Sequence, residues 1–544
     1  MHHRRIRLTS TDVSTAARLL DVADGLLRSA ASCVRARFGD AAIDDAQLQL
    51  YDLALSRAEL AASGSMTTLA LRADSTDIER RVACAFCAET LSSFRHRLSV
   101  RPADYGMTSA DLRPMDDPFV ASQLAADELT ALGRDLVGAS GTLPYRLDDE
   151  KRLMRDTFRR FADEVVRPRA AAIHRTDSMI PDEIIEGLRR LGCFGLSIPE
   201  RFGGLKPDHS EDSLGMILAT EELSRGSLGA AGSLITRPEI VARALLEGGT
   251  AAQQARWLPA LAAGDPFCAV SVTEPGTGSD VAAVSLRAKR VDGGWRLNGG
   301  KTWCTFAGKA GVILVLARTD PDVRPLHKGL SLFLVEKPST DADEFVHHSN
   351  GGTVTGRAIA TIGYRGMHSF EMFYDEFFVP DTHLVGEQEG EGRGFYFTMR
   401  GFSGGRLQTA ARACGLMQAA FDSAVAYAQN RTVFDRKVAD YPLTQAKFAR
   451  MGMYIAACRC FSHAVAQEMD KGAGQIEASL VKLLACHLAE WVSREAMQIH
   501  GGIGYAEETD VSRLYVDARV LSIFEGAEET LALRVIGKAL LESN

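Results

Sequence analysis

Between residues 266 and 385 the apolar residues of this 544-residue chain stop recurring at helical spacing. Val312-Ile313-Leu314-Val315-Leu316 is a short continuous apolar run, Leu330, Leu332 and Leu334 alternate with Ser and Phe, and Phe373 to Val379 is aromatic and β-branched. Such runs, bounded by Gly and Asp turns, predict strands. On both sides the pattern is helical. Met154, Phe158, Phe161 and Val165 recur at i, i+4, i+7 and i+11 behind a candidate N-cap at Asp148, and Pro168 is expected to end that helix. Ala-rich faces return around 410–428 and 478–497. The expected architecture is therefore mostly α with a small β domain. Its segments are an N-terminal helical extension (1–144), a helical domain (145–265), the β domain (266–385) and a C-terminal helical bundle (386–544).

The extension shows no constellation of catalytic groups. Leu19, Val22, Ala23, Leu26 and Ala30 share one helical face, and Ala83, Cys87, Thr90, Leu91 and Phe94 another. A linker is expected around Gly138–Pro144. Hydrophobic content of 46%, charged content of 24% and a net charge of −8 describe a soluble globular protein and argue against nucleic acid or an anionic membrane as partner. No apolar run is long enough to span a bilayer, and no apolar stretch follows the basic start, so no secretory signal is read there. A cytoplasmic location without membrane insertion is expected, a mitochondrial presequence being the alternative that Asp12, Asp21 and Asp24 disfavour. Ten cysteines are scattered; Cys84 and Cys87 form a C-x-x-C without a second pair at zinc spacing. They read as buried helical thiols, a redox or metal role being the alternative, and no metal site is expected.

Three ordered segments carry the chemistry. The first is the polar, Gly-rich turn Thr273-Glu274-Pro275-Gly276-Thr277-Gly278-Ser279-Asp280, followed by Lys301-Thr302-Trp303-Cys304-Thr305. Glycines there let backbone approach a ligand closely. No βαβ unit surrounds the turn, so it is not a dinucleotide fingerprint. The second runs from Arg406 to Gly415 and on to Arg431 and Phe434; the third pairs Gln498-Ile499-His500-Gly501-Gly502 with Ile523-Phe524-Glu525-Gly526. Glu525, between an aromatic and a glycine, is a poorly solvated carboxylate; alone it reads as a surface or cap residue, and in company with the two upstream segments as a candidate base.

Together these segments resemble the acyl-CoA dehydrogenase family of flavoproteins over roughly residues 145–544. The resemblance implies an N-terminal helical domain, a middle β-barrel or sandwich domain and a C-terminal four-helix bundle, here with an additional extension. It implies FAD as cofactor, with contacts from Thr273, Ser279, Trp303 and Thr305. Arg431, Phe434, Gln498, Gly501 and Gly502 would contact the FAD of a neighbouring subunit, making the protein an obligate homo-oligomer: a dimer if the extension covers a face relatives use for assembly, otherwise a tetramer. Glu525 would remove the α-proton of an acyl-CoA while its backbone N–H and a flavin hydroxyl bond the thioester oxygen. The β-hydride would pass to flavin N5, and an electron-transfer flavoprotein would be the acceptor. Ser279, Arg406, Phe524 and Gly526 are implied substrate contacts.

Gly232–Pro238, Lys301–Phe306, Gly363–His368 and Ser522–Ala527 are similar to members acting on (2S)-methylsuccinyl-CoA. That implies mesaconyl-CoA as product, in an ethylmalonyl-CoA type of acetate assimilation. A buried substrate carboxylate needs a cation or several donors. Arg237 is the candidate, its alternative being a surface residue at a helix start; Tyr364, Arg365 and His368 are others. Competing readings are a short branched-chain acyl-CoA dehydrogenase, an acyl-CoA oxidase and a non-catalytic acyl-CoA- or flavin-binding scaffold. Several positions depart from the family pattern: Ser403 replaces Asp, Asp435 Gly, Pro442 Gln, Val516 Arg and Ala527 Thr.

Overall fold

The computed structural model describes residues 10–138 and 146–542. The linker expected around Gly138–Pro144 lies, after Gly138, outside what is described, as does the side chain of Ser403. The chain divides into two compact units, one of residues 1–149 with 409–544 and one of residues 150–408. Their boundary falls inside the continuous helix Gly394–Asn430, between Gln408 and Thr409.

In the first unit the extension supplies long helices, Ser10–Phe38, Gln47–Ala70, Asp77–Ser99 and Ala126–Gly138. The third starts on a capping box: the Thr76 hydroxyl accepts from the Glu79 N–H and the Glu79 carboxylate accepts from the Thr76 N–H. The apolar faces read from the sequence point inward, with Leu19, Ala23, Ala30, Ala83, Cys87, Leu91 and Phe94 buried. These helices pack on those of the C-terminal region, Pro442–Asp470 and Gln475–His500. At one crossing the backbones nearly touch. A Cβ on Gly133 would sit 1.8 Å from the Gln445 carbonyl oxygen, so only glycine fits there. Cys84 and Cys87 are buried free thiols inside the extension, and burial pushes Cys84 up to about 12, which suits packing rather than redox chemistry.

The second unit joins helices to an eight-stranded sheet. Its strands are β1 (Cys268–Ser271), β2 (Arg287–Val291), β3 (Gly294–Thr305), β4 (Val312–Arg318), β5 (Leu330–Glu336), β6 (Glu344–Ser349), β7 (Gly352–Ile359) and β8 (Ser369–Pro380). The order is β1-β4-β2-β3-β8-β7-β6, with β5 antiparallel on β4. β4 and β5 are buried on both faces. Ile313, Val315 and Phe333 pack with Trp295 and Tyr374 on one side; Leu314, Leu316, Leu330, Leu332 and Leu334 pack on the other against Val241, Leu245, Trp257 and Leu258 of the helices. The alternation Leu-Ser-Leu-Phe-Leu therefore does not mark a solvent face, because helices cover the Leu side.

Pro168 does not end its helix. Asp149–Phe161 runs into a π-helical stretch, Ala162–Val166, and then into Arg167–Thr176 with Pro168 in its first turn. The N–H of Arg167 bonds back five residues to the Ala162 carbonyl. Widening the turn just before Pro168 accommodates a residue that cannot donate, so the helix continues.

Candidate functional site

In the second unit the Gly-rich turn closes on itself: the Glu274 N–H bonds the Thr277 oxygen at 2.9 Å and the Thr277 N–H the Glu274 oxygen at 3.0 Å. Glu274 tethers it to the sheet. Its carboxylate accepts from the Ser285 and Leu286 N–H groups at 2.8 Å and from the Lys301 ammonium at 2.9 Å. The Lys301 side chain is 0% exposed and that of Glu274 6%. Burial alone would push the Glu274 carboxyl up, but the Lys301 charge and the Leu286 and Ser285 donors hold it below its usual range. One ion pair thus fixes Thr273 beside β3, where the Thr302 N–H donates to the Thr273 oxygen at 2.9 Å.

A bulge follows at once. The pairing of β3 with β8 slips between Lys301 and Cys304, and Trp303 lies in that slip at φ 57°. A bulge re-aims side chains. Trp303, one residue before the buried Cys304, stays 55% exposed. Thr305 returns to register with its hydroxyl 2.9 Å from that of Ser369. A half-exposed indole held in a left-handed conformation, with a hydroxyl two residues on, suits a flat heteroaromatic ring, and the isoalloxazine of FAD fits those groups. An open cavity of about 660 Å³ on the β3-β8-β7 part of the sheet is lined by Pro275, Gly300, Lys301, Phe345, Met372 and Phe373, and not by Trp303 or Thr305. Ser279 is exposed at the end of the turn.

Arg237, also in this unit, is not at the surface. It lies in the helix Thr236–Gly248 at 8% exposure, donating to the Ser233 carbonyl at 2.8 Å and the Tyr364 hydroxyl at 3.3 Å. The other candidates differ in kind. Arg365 donates to the His174 and Thr361 carbonyls, and His368 lies 3.3 Å from the Asp177 carboxylate. Both are tied into local structure, while Tyr364 stands beside Arg237. Arg406 is half-buried on the long helix.

In the first unit Glu525 sits on a turn between the helix Asp510–Leu521 and the helical segment from Glu528. Its φ is 53° and that of Gly526 is 100°, two consecutive left-handed residues. The side chain is only 12% exposed, as its apolar neighbours suggested. What the sequence did not reveal is its partners. The Thr409 hydroxyl donates to one carboxylate oxygen at 3.0 Å, and Nη1 of Arg412 donates to the other at 3.1 Å. The Arg412 side chain is 0% exposed, its guanidinium carbon 5.3 Å from the centre of the Phe524 ring. Behind the turn, the buried Lys482 ammonium donates to the Gly526 carbonyl at 2.5 Å. A lone Arg in the Ala-rich run from Ala410 to Cys414 was the only signal for Arg412.

Phe434 occupies the tip of a two-residue hairpin between Thr432–Val433 and Arg436–Lys437, and is 91% exposed. Phe434 and Asp435 have φ of 47° and 59°, both positive as in a type I′ turn. Asp at the second position tolerates that conformation, which explains how it replaces Gly. Arg431, at the hairpin's foot, is exposed too. Gln498, Gly501 and Gly502 are exposed at the end of Gln475–His500, with Gly501 at φ 63° capping on the Gln498 carbonyl.

Comparison with known proteins follows the same three parts of the chain. The N-terminal, middle and C-terminal domains of acyl-CoA dehydrogenases match residues 148–265, 269–377 and 392–541. The chain is 43% identical to (2S)-methylsuccinyl-CoA dehydrogenase of Cereibacter sphaeroides over 427 residues, which is 78% of this chain and 75% of that one. Butyryl-CoA dehydrogenase from Megasphaera elsdenii superposes with a TM-score of 0.67 at 30% identity, covering 73% of this chain and all of that one. A glutaryl-CoA dehydrogenase from Mycobacterium smegmatis in complex with FADH2 gives 0.63 at 26% identity, covering 73% and 95%. No helix among the described residues is long and apolar enough to cross a membrane. The chain belongs to the acyl-CoA dehydrogenase family and is an FAD-dependent oxidoreductase acting on acyl-CoA thioesters.

Proposed function

We propose that the chain oxidises (2S)-methylsuccinyl-CoA to mesaconyl-CoA, with Glu525 as the base that removes the α-proton. The observation that carries this reading is the Glu525 turn: a carboxylate screened from water, held by Thr409 and Arg412 on a left-handed backbone. Bound FAD supplies the hydride acceptor for the β-carbon. Trp303, Thr305, Thr273 and Ser279 hold it, and Arg431, Phe434, Gln498, Gly501 and Gly502 contact the FAD of a neighbouring subunit. The near-total exposure of Phe434 supports that second set, since so large an apolar surface at a hairpin tip favours a partner.

The Glu525 N–H, together with Phe524 and Gly526, positions the thioester. Its bond to the carbonyl oxygen strengthens as negative charge develops there; one such donor is worth about 3–4 kcal/mol in comparable sites. Ser279 and Arg406 serve the CoA ester. Arg237, buried and paired with the Tyr364 hydroxyl, is suited to the second carboxylate of the acyl chain, and Arg412 is a second buried cation beside the base. The 43% identity to the Cereibacter protein supports the substrate, and with that substrate the reaction belongs to an ethylmalonyl-CoA type of assimilation. An electron-transfer flavoprotein accepts the electrons, and the docking of the extension on the C-terminal helices supports a dimer over a tetramer.

A turnover panel tests the substrate. With an artificial electron acceptor, (2S)-methylsuccinyl-CoA is oxidised at least tenfold faster than butyryl-CoA or isobutyryl-CoA. The reverse order keeps the reaction and discards the dicarboxylate.

A further inference from the structure

One end of the turn that carries Glu525 is held from a part of the chain outside the matched domains. The turn is closed by the Glu528 N–H donating to the Ser522 carbonyl at 3.0 Å, so Ser522 and Glu528 are its two ends. The Ser522 hydroxyl is fixed by the Glu490 carboxylate at 2.7 Å, inside the C-terminal region. The other end reaches elsewhere. The Glu528 carboxylate accepts a hydrogen bond from the phenol of Tyr51, in the extension helix Gln47–Ala70. His487 lies on the same oxygen at 3.6 Å. The neighbouring His487 holds the Glu528 carboxyl below its usual range, while burial and then the hydrogen bond to Glu528 push the Tyr51 phenol up, so Tyr51 remains a donor to a charged acceptor. The same helix supports the chain after the turn: Leu50 packs beside Gly537, and Asp44, just before the helix, pairs with Arg534.

Two consecutive left-handed residues do not hold their shape unaided; the surroundings must over-determine them. A base displaced by even a fraction of an ångström loses proton-transfer efficiency out of proportion to any loss of stability. We infer that Tyr51 is a positioning residue for the base: through Glu528, the N-terminal extension holds the turn that carries Glu525 in its reactive geometry. The inference rests on Glu525 being the base and is independent of which acyl-CoA is the substrate.

The test uses the FAD-loaded full chain and the best substrate of the turnover panel. Tyr51→Phe removes one hydroxyl and keeps the ring. It lowers kcat about tenfold, leaves KM unchanged, and speeds amide deuterium exchange at residues 523–527. Glu89→Gln is the control, because Glu89 is an extension residue bonded to Arg450 and Tyr454, far along the sequence from the turn. It lowers the melting temperature by as much as Tyr51→Phe and leaves kcat within twofold of wild type. Glu528→Gln, which keeps the side chain's shape and loses its charge, repeats the Tyr51→Phe pattern. Wild-type kcat in Tyr51→Phe, or an equal loss in Glu89→Gln, overturns the inference. Activity surviving in Glu525→Gln overturns the assignment of the base instead, which keeps the two failures apart.

Discussion

Replacing Lys301 with Met strands a buried carboxylate beneath the Gly-rich turn. The Lys301 ammonium is wholly buried and bonds both Glu274, at 2.9 Å, and the Val272 carbonyl, at 2.8 Å. Removing one partner of a buried ion pair costs about 3–5 kcal/mol, because the other charge stays desolvated. Glu274 keeps the Ser285 and Leu286 N–H bonds, which places the cost near the lower end, about 3 kcal/mol. For a folding unit of this size, 1 kcal/mol moves the melting temperature by roughly 2–4 °C, so the variant melts about 6–12 °C lower. The assay is thermal unfolding of the FAD-loaded protein, followed in parallel by flavin fluorescence and far-ultraviolet circular dichroism. Since Thr273 and β3 are joined through this pair, flavin is released before the helices melt. Glu274→Gln combined with Lys301→Met recovers at least half of the loss, because no charge is then left unpaired. A single-variant shift below about 2 °C would refute the reasoning, showing that water reaches the pair.

Further outcomes follow from the same geometry. Gly133→Leu drives a side chain into the Gln445 backbone and destabilises the first unit by at least 1–3 kcal/mol, read by denaturant unfolding. Phe434→Ala leaves the melting temperature of the FAD-free protein within about 1 °C of wild type, while equilibrium dialysis shows at least tenfold weaker FAD retention, because the ring packs on nothing in its own chain's core. His487, with Nδ1 3.6 Å from the Glu528 carboxylate, has its pKa raised above 6.5 by that carboxylate. Its contribution to stability is complete below pH 6.5 and fades as pH rises through the raised value. With the side chain half-exposed, the effect stays under about 1 kcal/mol and vanishes in His487→Gln, as pH-dependent urea unfolding would show. Arg412→Met abolishes the pairing of the base and lowers kcat with (2S)-methylsuccinyl-CoA by at least 100-fold, measured by stopped-flow flavin absorbance.

Local pattern carried the sequence reading a long way. The change of period at 266 located the sheet and the Ala-rich faces located the C-terminal helices, whereas Glu525 alone reads as a surface or cap residue and stood out only in company with the two upstream segments. What escaped was pairing between residues distant in sequence. Glu274 and Lys301, or Arg412 and Glu525, meet only once the chain has folded, and neither member of a pair announces the other. Arg237 read equally well as a surface residue before Pro238, and only the packing of its helix buries it. The helix through Pro168 escaped for a different reason: a π-turn has no residue signature, so a proline that it accommodates looks like a stop. Trp303 shows the converse, since its motif was plain but the bulge that exposes it was not.

The most direct test of the account is anaerobic bleaching of the flavin. The yellow holoenzyme is mixed with (2S)-methylsuccinyl-CoA, and the flavin absorbance is followed in the wild type and in Glu525→Gln. Rapid loss of colour in the wild type, slowed by several orders of magnitude in the variant with FAD still bound, is the predicted result. Bleaching at the same rate in both proteins would contradict Glu525 as the base, and no bleaching in either would contradict the substrate.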